Sequence, residues 1–361
     1  MPPKSEEPLV WHDVLEQRVR RGAWPDQQRS TYRLAAEALK EGRHADAEEL
    51  ARFTIEEAVE GHEIYRDMMV LIPDYLRRHG VGVEALEEEI ARLRELTALP
   101  DGSPLDAEAG WAAYKQRIEA FAEACRQGDV EGGLRLLEEA RVTWRTTHDR
   151  KCDWVCGLIE VVARRLGEEH VVPVWDEAVG AMYDYYEEHY DIDKTPWPET
   201  MDRLMHITAI ALRGHLSGPG RMGEVEIREE AERWTFTFDP CGSGGRTMRA
   251  DPDEGLPARI EAPFGHAVTT EEHDWAWNRK GVCLYCVHCC LISEINPIKR
   301  LGYPARVIDP PVWGSGDPAP KCTWYIYKDP ALVPEEAYAE VGARKPETLG
   351  AAAVRRRRSE G

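Results

Sequence analysis

Residues 283–290 read CLYCVHCC and hold four of the nine cysteines of this 361-residue chain, together with a histidine. A hydrophobic core gains little from such a cluster, because a thiol buries little apolar area. Thiolate and imidazole groups are instead the ligands that zinc and iron–sulfur clusters prefer. The segment therefore predicts a metal site, around which the neighbouring chain must fold.

The spacing of these cysteines is typical of a metal knuckle. A tight turn aims two thiolates at one ion when two residues separate them, as in the 283/286 pair. The third cysteine repeats this spacing, and the fourth adjoins it. The predicted ligands are Cys283, Cys286, Cys289, Cys290 and Cys322, with Cys241 as a further candidate.

Zinc is the metal that we favour, and an iron–sulfur cluster is the alternative. A ferredoxin-type run needs a cysteine at the fourth position after Cys289, followed by proline, but Ser293 stands there. Two other interpretations stay open. One is a redox dithiol formed by Cys283 and Cys286, and the other is a set of buried thiols without chemistry.

The composition is that of a soluble globular protein, with 42% hydrophobic and 31% charged residues. No run approaches the roughly 18–20 apolar residues of a membrane span, and residues 1–7 lack the apolar core of a signal peptide. We therefore expect a cytoplasmic protein that binds no membrane. In a reducing compartment, cysteines serve as ligands, nucleophiles or buried thiols before they form disulfides.

The net charge of −20 and the sequence pI near 5.1 disfavour binding to nucleic acid or anionic lipid. The exception is the run of four arginines at residues 355–358. We expect a solvated, frayed tail there. A docking segment for nucleic acid or a protein partner is the alternative.

Residues 1–217 have helical periodicity and predict an all-α domain, either a bundle or a short helical repeat. Glycines punctuate the pattern, and we expect Gly42, Gly61 and Gly80 each to end a helix. Pro73 is expected to kink the third helix. The same pattern recurs after about 86 residues, which predicts a duplicated three-helix unit. Such a helical surface is a candidate contact for a protein partner or a second copy of the chain.

Residues 218–330 predict a small cysteine-rich α+β domain, so the whole chain belongs to the α+β class. Polar and aromatic residues alternate at 232–238, which is typical of a half-buried strand. Segments 306–308 and 322–327 predict further strands. We expect residues 331–361 to form a flexible tail.

A glycine-rich loop follows the first of these strands at residues 238–246. Backbone N–H groups of Gly242, Gly244 and Gly245 can converge on an anion, and Arg246 adds a positive charge. These residues are therefore candidates for binding a substrate carboxylate. The same donors suit Cys241 as a nucleophile or as a metal ligand, and an ordinary flexible loop is the alternative. No Lys-Ser or Lys-Thr follows the glycines, which argues against a P-loop.

Histidines and tryptophans flank the cysteine segment. His266 and His288 are candidate proton-transfer groups, and His273 is a further one. Trp275 is a candidate wall of a small-molecule pocket, together with Trp277. The alternative for each histidine is a structural or surface role.

A second constellation lies in the helical half, where two cysteines, two aspartates and a histidine share one helix. Residues four apart lie on one helical face, so a metal site between helices is one interpretation. Core cysteines beside hydrogen-bonded acids are the interpretation that we favour. The residues are His148, Asp149, Cys152, Asp153 and Cys156.

The last third of the chain resembles the L-2-amino-thiazoline-4-carboxylic acid hydrolase-like family in the order of its segments. A strand ends in a cysteine at 238–241, a cysteine-bearing segment at 286–295 precedes a helix, and a glycine turn and strand follow at 302–308. A last strand opens with a cysteine at 322. The cysteine cluster is denser than the family pattern requires, and the helical half lies outside it. The resemblance implies a small sulfur- or nitrogen-containing carboxylate substrate, with Cys241 and Cys322 near the site.

Together these features predict a zinc-dependent enzyme that hydrolyses, or eliminates from, a small polar carboxylate-bearing molecule. Zinc activates water when one coordination position stays open. Two other classes remain: a non-catalytic zinc-stabilised interaction module, and a thiol-based redox or metal sensor or iron–sulfur protein.

Overall fold

The computed structural model describes residues 7–316 and 321–360, with side chains as far as Arg355. Within these ranges the chain is rich in α-helix and has two small antiparallel sheets, as expected for the α+β class. None of the described helices has the length and apolar character needed to cross a bilayer. Predictions for residues 1–6 and for the side chains of residues 356–358 concern parts outside the described residues.

The N-terminal part contains two strands and eight helices, namely β1 (Leu9–His12), β2 (Gln17–Arg20), α1 (Trp24–Gln27), α2 (Thr31–Lys40), α3 (His44–Arg78), α4 (Val83–Leu96), α5 (Ala107–Gln127), α6 (Val130–Leu166), α7 (Val171–His189) and α8 (Trp197–Gly214). The C-terminal part contains β3 (Glu226–Glu229), β4 (Arg233–Phe238), α9 (Val287–Cys290), α10 (Asn296–Leu301), β5 (Val307–Asp309), β6 (Cys322–Tyr327), α11 (Glu335–Glu340) and α12 (Ala351–Glu360). A π-helical turn at Leu291–Ile295 joins α9 to α10.

The first 217 residues are not helical throughout, because a β-hairpin precedes the first helix. Strands β1 and β2 pair antiparallel, with Leu9 opposite Arg20. Leu9 and Val19 are buried, and Leu9 belongs to the core formed by α2, α3 and α5. The hairpin thus contributes to the core of the helical part.

Helix α3 runs for 35 residues through Gly61, where the sequence pattern predicted a helix end, and it also contains Pro73. A glycine costs a helix only about 1 kcal/mol, which packing readily outweighs. At Gly61 a Cβ atom would lie 3.2 Å from Cε1 of His215. The glycine therefore allows the residue after α8 to approach α3 closely.

The turns that link α2 to α3 and α5 to α6 share one feature. Gly42 and Gly128 both adopt positive φ, at 77° and 71°. Each lies two residues before a long helix, and Gly128 and Val130 lie 86 residues after Gly42 and His44. The second and third helices predicted for each unit form one continuous helix in both places.

The C-terminal sheet has the antiparallel order β3–β4–β6–β5. In its centre, Phe238 at the end of β4 pairs with Cys322 at the start of β6. The two parts of the chain share one core, which joins α3, α6 and α7 to residues 276–308. Trp175 on α7 donates its indole N–H to the Leu284 carbonyl at 3.0 Å. The cysteine-bearing segment is therefore packed directly against the helical part.

The segment expected to be a flexible tail contains α11 and α12. Tyr338 on α11 is fully buried and donates its hydroxyl hydrogen to the Gly302 carbonyl at 3.3 Å. The described part of this segment is thus tied to the α10 region.

Candidate functional site

A cavity of about 80 Å³ lies where several segments of the chain meet. They include the end of α8 with the residues that follow it, the glycine loop after β4, Trp277, the stretch around α9, residues 308–311 and the start of β6. A water molecule needs roughly 10–15 Å³ of such space, so the cavity has room for several atoms. It is the best candidate site among the described residues because of the side chains that line it.

Four cysteines line this cavity, and all are reduced: Cys241, Cys286, Cys289 and Cys322. The pairing of Phe238 with Cys322 brings the loop that follows β4 beside the start of β6. Cys286 and Cys289 are three residues apart around α9, so their side chains share a face. Three separate segments therefore bring four thiols to one cavity.

The other two cysteines of the predicted cluster point elsewhere. Cys283 is buried outside the cavity, with its Sγ atom 3.6 Å from Oγ1 of Thr247. Cys290 contacts the carbonyl oxygen of Asp274 at 3.8 Å. Neither residue lines the cavity, and the spacing alone did not distinguish them from Cys286 and Cys289.

The glycine loop packs its backbone against the walls of the cavity. At Gly244 a Cβ atom would lie 2.5 Å from Sγ of Cys286, and at Gly245 it would lie 2.9 Å from Cβ of Cys241. At Gly242 it would overlap the carbonyl of His215. The backbone N–H of Ser243 points toward Sγ of Cys241 at 3.4 Å, so the loop donates toward this thiol.

Three predicted site residues lie away from the cavity. Arg246 is buried and pairs with Asp153 at 2.5 Å. Trp275 stacks on His273 with ring centroids 4.1 Å apart, beside a separate open groove. His266 is buried without a hydrogen-bond partner at either ring nitrogen among the described residues. The cavity and these three residues are therefore distinct.

His288 does line the cavity. Its Nδ1 atom lies 2.5 Å from the Tyr285 carbonyl, so Nδ1 carries the proton and donates it. Nε2 is then free to accept, and Sγ of Cys289 lies 3.5 Å from it. Burial lowers the pKa of His288 to about 4, so the ring is neutral near pH 7.

A second histidine of the cavity, His215, was not predicted from the sequence. Its Nδ1 atom lies 2.7 Å from Nε2 of His148, whose Nδ1 atom lies 2.8 Å from Oδ1 of Asp149. The sequence singled out the last two residues but gave no signal for His215, which stands alone at the end of a helix. The three side chains form a hydrogen-bonded chain from the interior of α6 to the cavity.

Arginine side chains keep Asp149, at the inner end of these hydrogen bonds, in its charged form. Arg221 contacts both carboxylate oxygens of Asp149 at 2.8 Å. Burial alone would raise the pKa of Asp149, but Arg221 and Arg246 hold it well below its usual range. Burial lowers the pKa of His148 to about 4 and that of His215 well below its usual range. Asp149 is therefore ionised, and both histidines are neutral.

The cavity thiols are not activated by their surroundings. Burial raises the pKa of Cys241, Cys289 and Cys322. Contact with Cys283, together with burial, raises the pKa of Cys286. Four neutral thiols therefore line the cavity near pH 7, and each must lose its proton before it can act as a nucleophile or a ligand.

Another group with metal-ligand chemistry lies at the surface. Among the described residues, only His12, Asp202 and His206 bring three ligand atoms within 4.8 Å of one another. Nδ1 of His12 accepts from the Leu15 N–H at 3.3 Å, so Nε2 carries the ring proton and donates it to Asp202 at 2.9 Å. Nε2 of His206 lies 3.8 Å from the other carboxylate oxygen of Asp202, too far for a hydrogen bond.

Searches of protein-family models, curated proteins and solved structures gave no significant match to this chain. The likeness to the L-2-amino-thiazoline-4-carboxylic acid hydrolase-like family thus stays a prediction. The function must be inferred from the cavity itself.

Proposed function

We propose that Cys241, Cys286, Cys289 and Cys322 bind an iron–sulfur cluster and that the protein is a redox protein built around it. The observation that carries this proposal is the convergence of four reduced cysteines on one cavity. Four thiolates are the usual ligand set of [2Fe–2S] and [4Fe–4S] clusters. The N–H of Ser243 directed at Cys241 is the kind of contact that tunes cluster potentials.

The spacing of the sulfurs favours a cluster over a single zinc ion. Zinc–sulfur bonds of about 2.3 Å place the sulfurs of a tetrahedral site about 3.8 Å apart. Among the described residues, no three ligand atoms of the cysteines and histidines that line the cavity all lie within 4.8 Å of one another. A cluster spreads its ligands more widely, and the cavity of about 80 Å³ exceeds what one ion needs.

The ligand count favours electron transfer over Lewis-acid chemistry. Four thiolates saturate a cluster, whereas hydrolytic metals keep one position open. The described lining contains no Lys, Arg, Asp or Glu, so it offers no countercharge to the predicted carboxylate substrate. Trp277, Trp324 and Pro311 contribute an apolar wall. We therefore propose a neutral small molecule, or another redox centre, as the electron partner.

The test is the metal content of the full chain purified without oxygen. We expect iron and acid-labile sulfide in equal amounts, about two or four of each per chain, and an electron paramagnetic resonance signal after dithionite reduction. One zinc per chain without sulfide would instead support the zinc-bound interaction module. Absence of any metal after reconstitution with iron and sulfide would refute the proposal.

Neighbouring cysteines provide a matched pair of variants. Cys289→Ser removes a proposed ligand, so iron content should fall severalfold. Cys290→Ser alters a buried thiol of the same helix that contacts the Asp274 carbonyl, and it should retain the cluster. Equal loss in both variants would contradict the assignment of ligands.

A second candidate function rests on the contact between Cys289 and His288. Nε2 of His288 can accept the proton of the Cys289 thiol, while Nδ1 donates to a carbonyl oxygen that orients the ring. Cys289 and His288 thus have the arrangement of a nucleophile and its general base. This thiol hydrolase function requires a metal-free cavity. Stable cluster binding through Cys289 excludes it.

A further inference from the structure

The chain Asp149–His148–His215 determines which nitrogen of His215 carries the proton. Ionised Asp149 can only accept, so Nδ1 of His148 must donate across the 2.8 Å contact. Since His148 is neutral, its Nε2 atom is then an acceptor. Nδ1 of His215 must therefore donate across the 2.7 Å contact, and Nε2 of His215 keeps a lone pair.

That lone pair is free for a ligand of the cavity. His215 lines the cavity, and its Nε2 atom has no hydrogen-bond partner within the part of the chain that the structure describes. The same atom is not among the fully buried unpaired atoms there. An accessible, unsatisfied acceptor therefore faces the space that the four cysteines surround.

A second hydrogen-bonded chain ends beside it. The hydroxyl of Tyr285 donates to Tyr65 at 3.0 Å, and that of Tyr65 donates to Ser243 at 2.9 Å. Oγ of Ser243 lies 3.3 Å from Nδ1 of His215, farther than His148 does. Ser243 also lines the cavity. Its own hydroxyl hydrogen is thus available as a donor near the acceptor of His215.

We propose that His215 is the proton acceptor of the cavity, with His148 and Asp149 as positioning residues. This proposal shares one assumption with the proposed function, namely that the reaction takes place in the cavity. The group that it serves is the O–H or S–H of a neutral molecule, because the described lining has no charged side chain.

The proposed step is a proton transfer that needs no oxidant or reductant. The O–H or S–H bond of the bound molecule breaks, its electron pair stays on oxygen or sulfur, and a new N–H bond forms at Nε2 of His215. The positive imidazolium that results donates from Nδ1 to His148, which donates in turn to Asp149. The buried carboxylate thus stabilises the charge through one intervening ring.

The test is the tautomer of His215, measured by long-range proton–nitrogen NMR on the full chain labelled with ¹⁵N-histidine. We expect a protonated Nδ1 and an unprotonated Nε2, with the resonance assigned from its loss in His215→Gln. Proton on Nε2, or rapid exchange between both forms, would overturn the proposal. His215→Asn provides the same assignment if His215→Gln folds poorly.

Two variants of His148 distinguish control of the His215 tautomer from a role in packing alone. His148→Phe keeps a ring but cannot accept from His215, so the two tautomers should become mixed. His148→Gln offers a side-chain acceptor and should restore the protonated Nδ1. An unchanged tautomer in both variants would contradict the positioning role.

Failure of this inference and failure of the proposed function are distinguishable. Spectra are recorded on metal-free protein and on protein reconstituted with iron and sulfide. The expected tautomer without any cluster would support His215 and refute the redox centre. A bound cluster together with a proton on Nε2 of His215 would support the redox centre and refute the role of His215.

Discussion

Sγ of Cys286 lies 2.5 Å from the point that a Cβ atom would occupy at Gly244. The glycine loop and the cysteine segment are therefore in such close contact that one missing methyl group sets the position of a proposed ligand. The ring of Tyr285 lies nearly as close, at 2.9 Å from the same point. Both neighbours belong to the wall of the cavity.

Gly244→Ala should consequently damage the site. Overpacking of a buried contact costs about 1–3 kcal/mol, and the displaced thiol should lower the iron content. The measurements are urea unfolding and iron per chain. Gly180→Ala is the control, since nothing lies within 4 Å of its Cβ position on α7, and alanine there should stabilise by up to about 1 kcal/mol. Full iron content in Gly244→Ala would argue against Cys286 as a ligand.

Cys283 and Cys286 should respond differently to serine substitution. Cys286→Ser removes a cavity thiol and should reduce cluster content severalfold. Cys283→Ser replaces a buried thiol that lies outside the cavity and contacts Thr247, Cys156 and Cys286, so cluster content should persist with a modest loss of stability. Iron and sulfide analysis decides between them. Loss of the cluster in both variants would restore the pair of ligands that the knuckle spacing predicted.

Arg221→Met should destabilise the fold strongly. It leaves the carboxylate of Asp149 buried without its bidentate partner, which costs about 3–5 kcal/mol. Arg78→Met is the control because Arg78 and Glu177 form an exposed pair, worth less than about 1 kcal/mol. Urea unfolding compares the two variants. Similar small losses in both would show that Asp149 is solvated or otherwise compensated.

His266→Leu should change how stability depends on pH. Burial lowers the pKa of His266 to about 4 from 6.5, so between these values the unfolded chain binds a proton that the folded chain does not. Wild-type stability should thus decrease as the pH falls through this window. Relative to wild type, the leucine variant should gain on the order of 2 kcal/mol between pH 7 and pH 5.

Unfolding curves at several pH values measure this difference. His79→Leu at the surface is the control for replacing a histidine by leucine. A pH-independent difference between wild type and His266→Leu would mean that His266 binds its proton equally in the folded and unfolded chain, and it would contradict the lowered pKa.

The sequence allowed the prediction of the fold class, the helical pattern and three segments that contribute to the cavity. Cys241 was singled out by its loop, and Cys322 by its strand, because strand ends and glycine turns have local signatures. Gly61 was misjudged as a helix end. Its role depends on His215, a residue 154 positions away in the chain, and no local pattern records that contact.

The sequence also could not show which of the clustered cysteines line the cavity. Cys283, Cys286, Cys289 and Cys290 are chemically alike, and their spacing suits several ligand sets. The α9 turn selects Cys286 and Cys289 because it places them on one face. His215 went unnoticed because its significance comes from His148 and Asp149 on another helix.

The proposed ligands are far apart in the chain, and the cavity that they form is packed against the helical part. Cys241 and Cys322 meet only when β4 pairs with β6, and Cys286 follows a segment anchored to α7 by Trp175. The proposed cluster therefore has no complete set of ligands until β4 and β6 have paired. Maturation of the protein should be a late event, in which iron and sulfide are delivered to an already folded apoprotein.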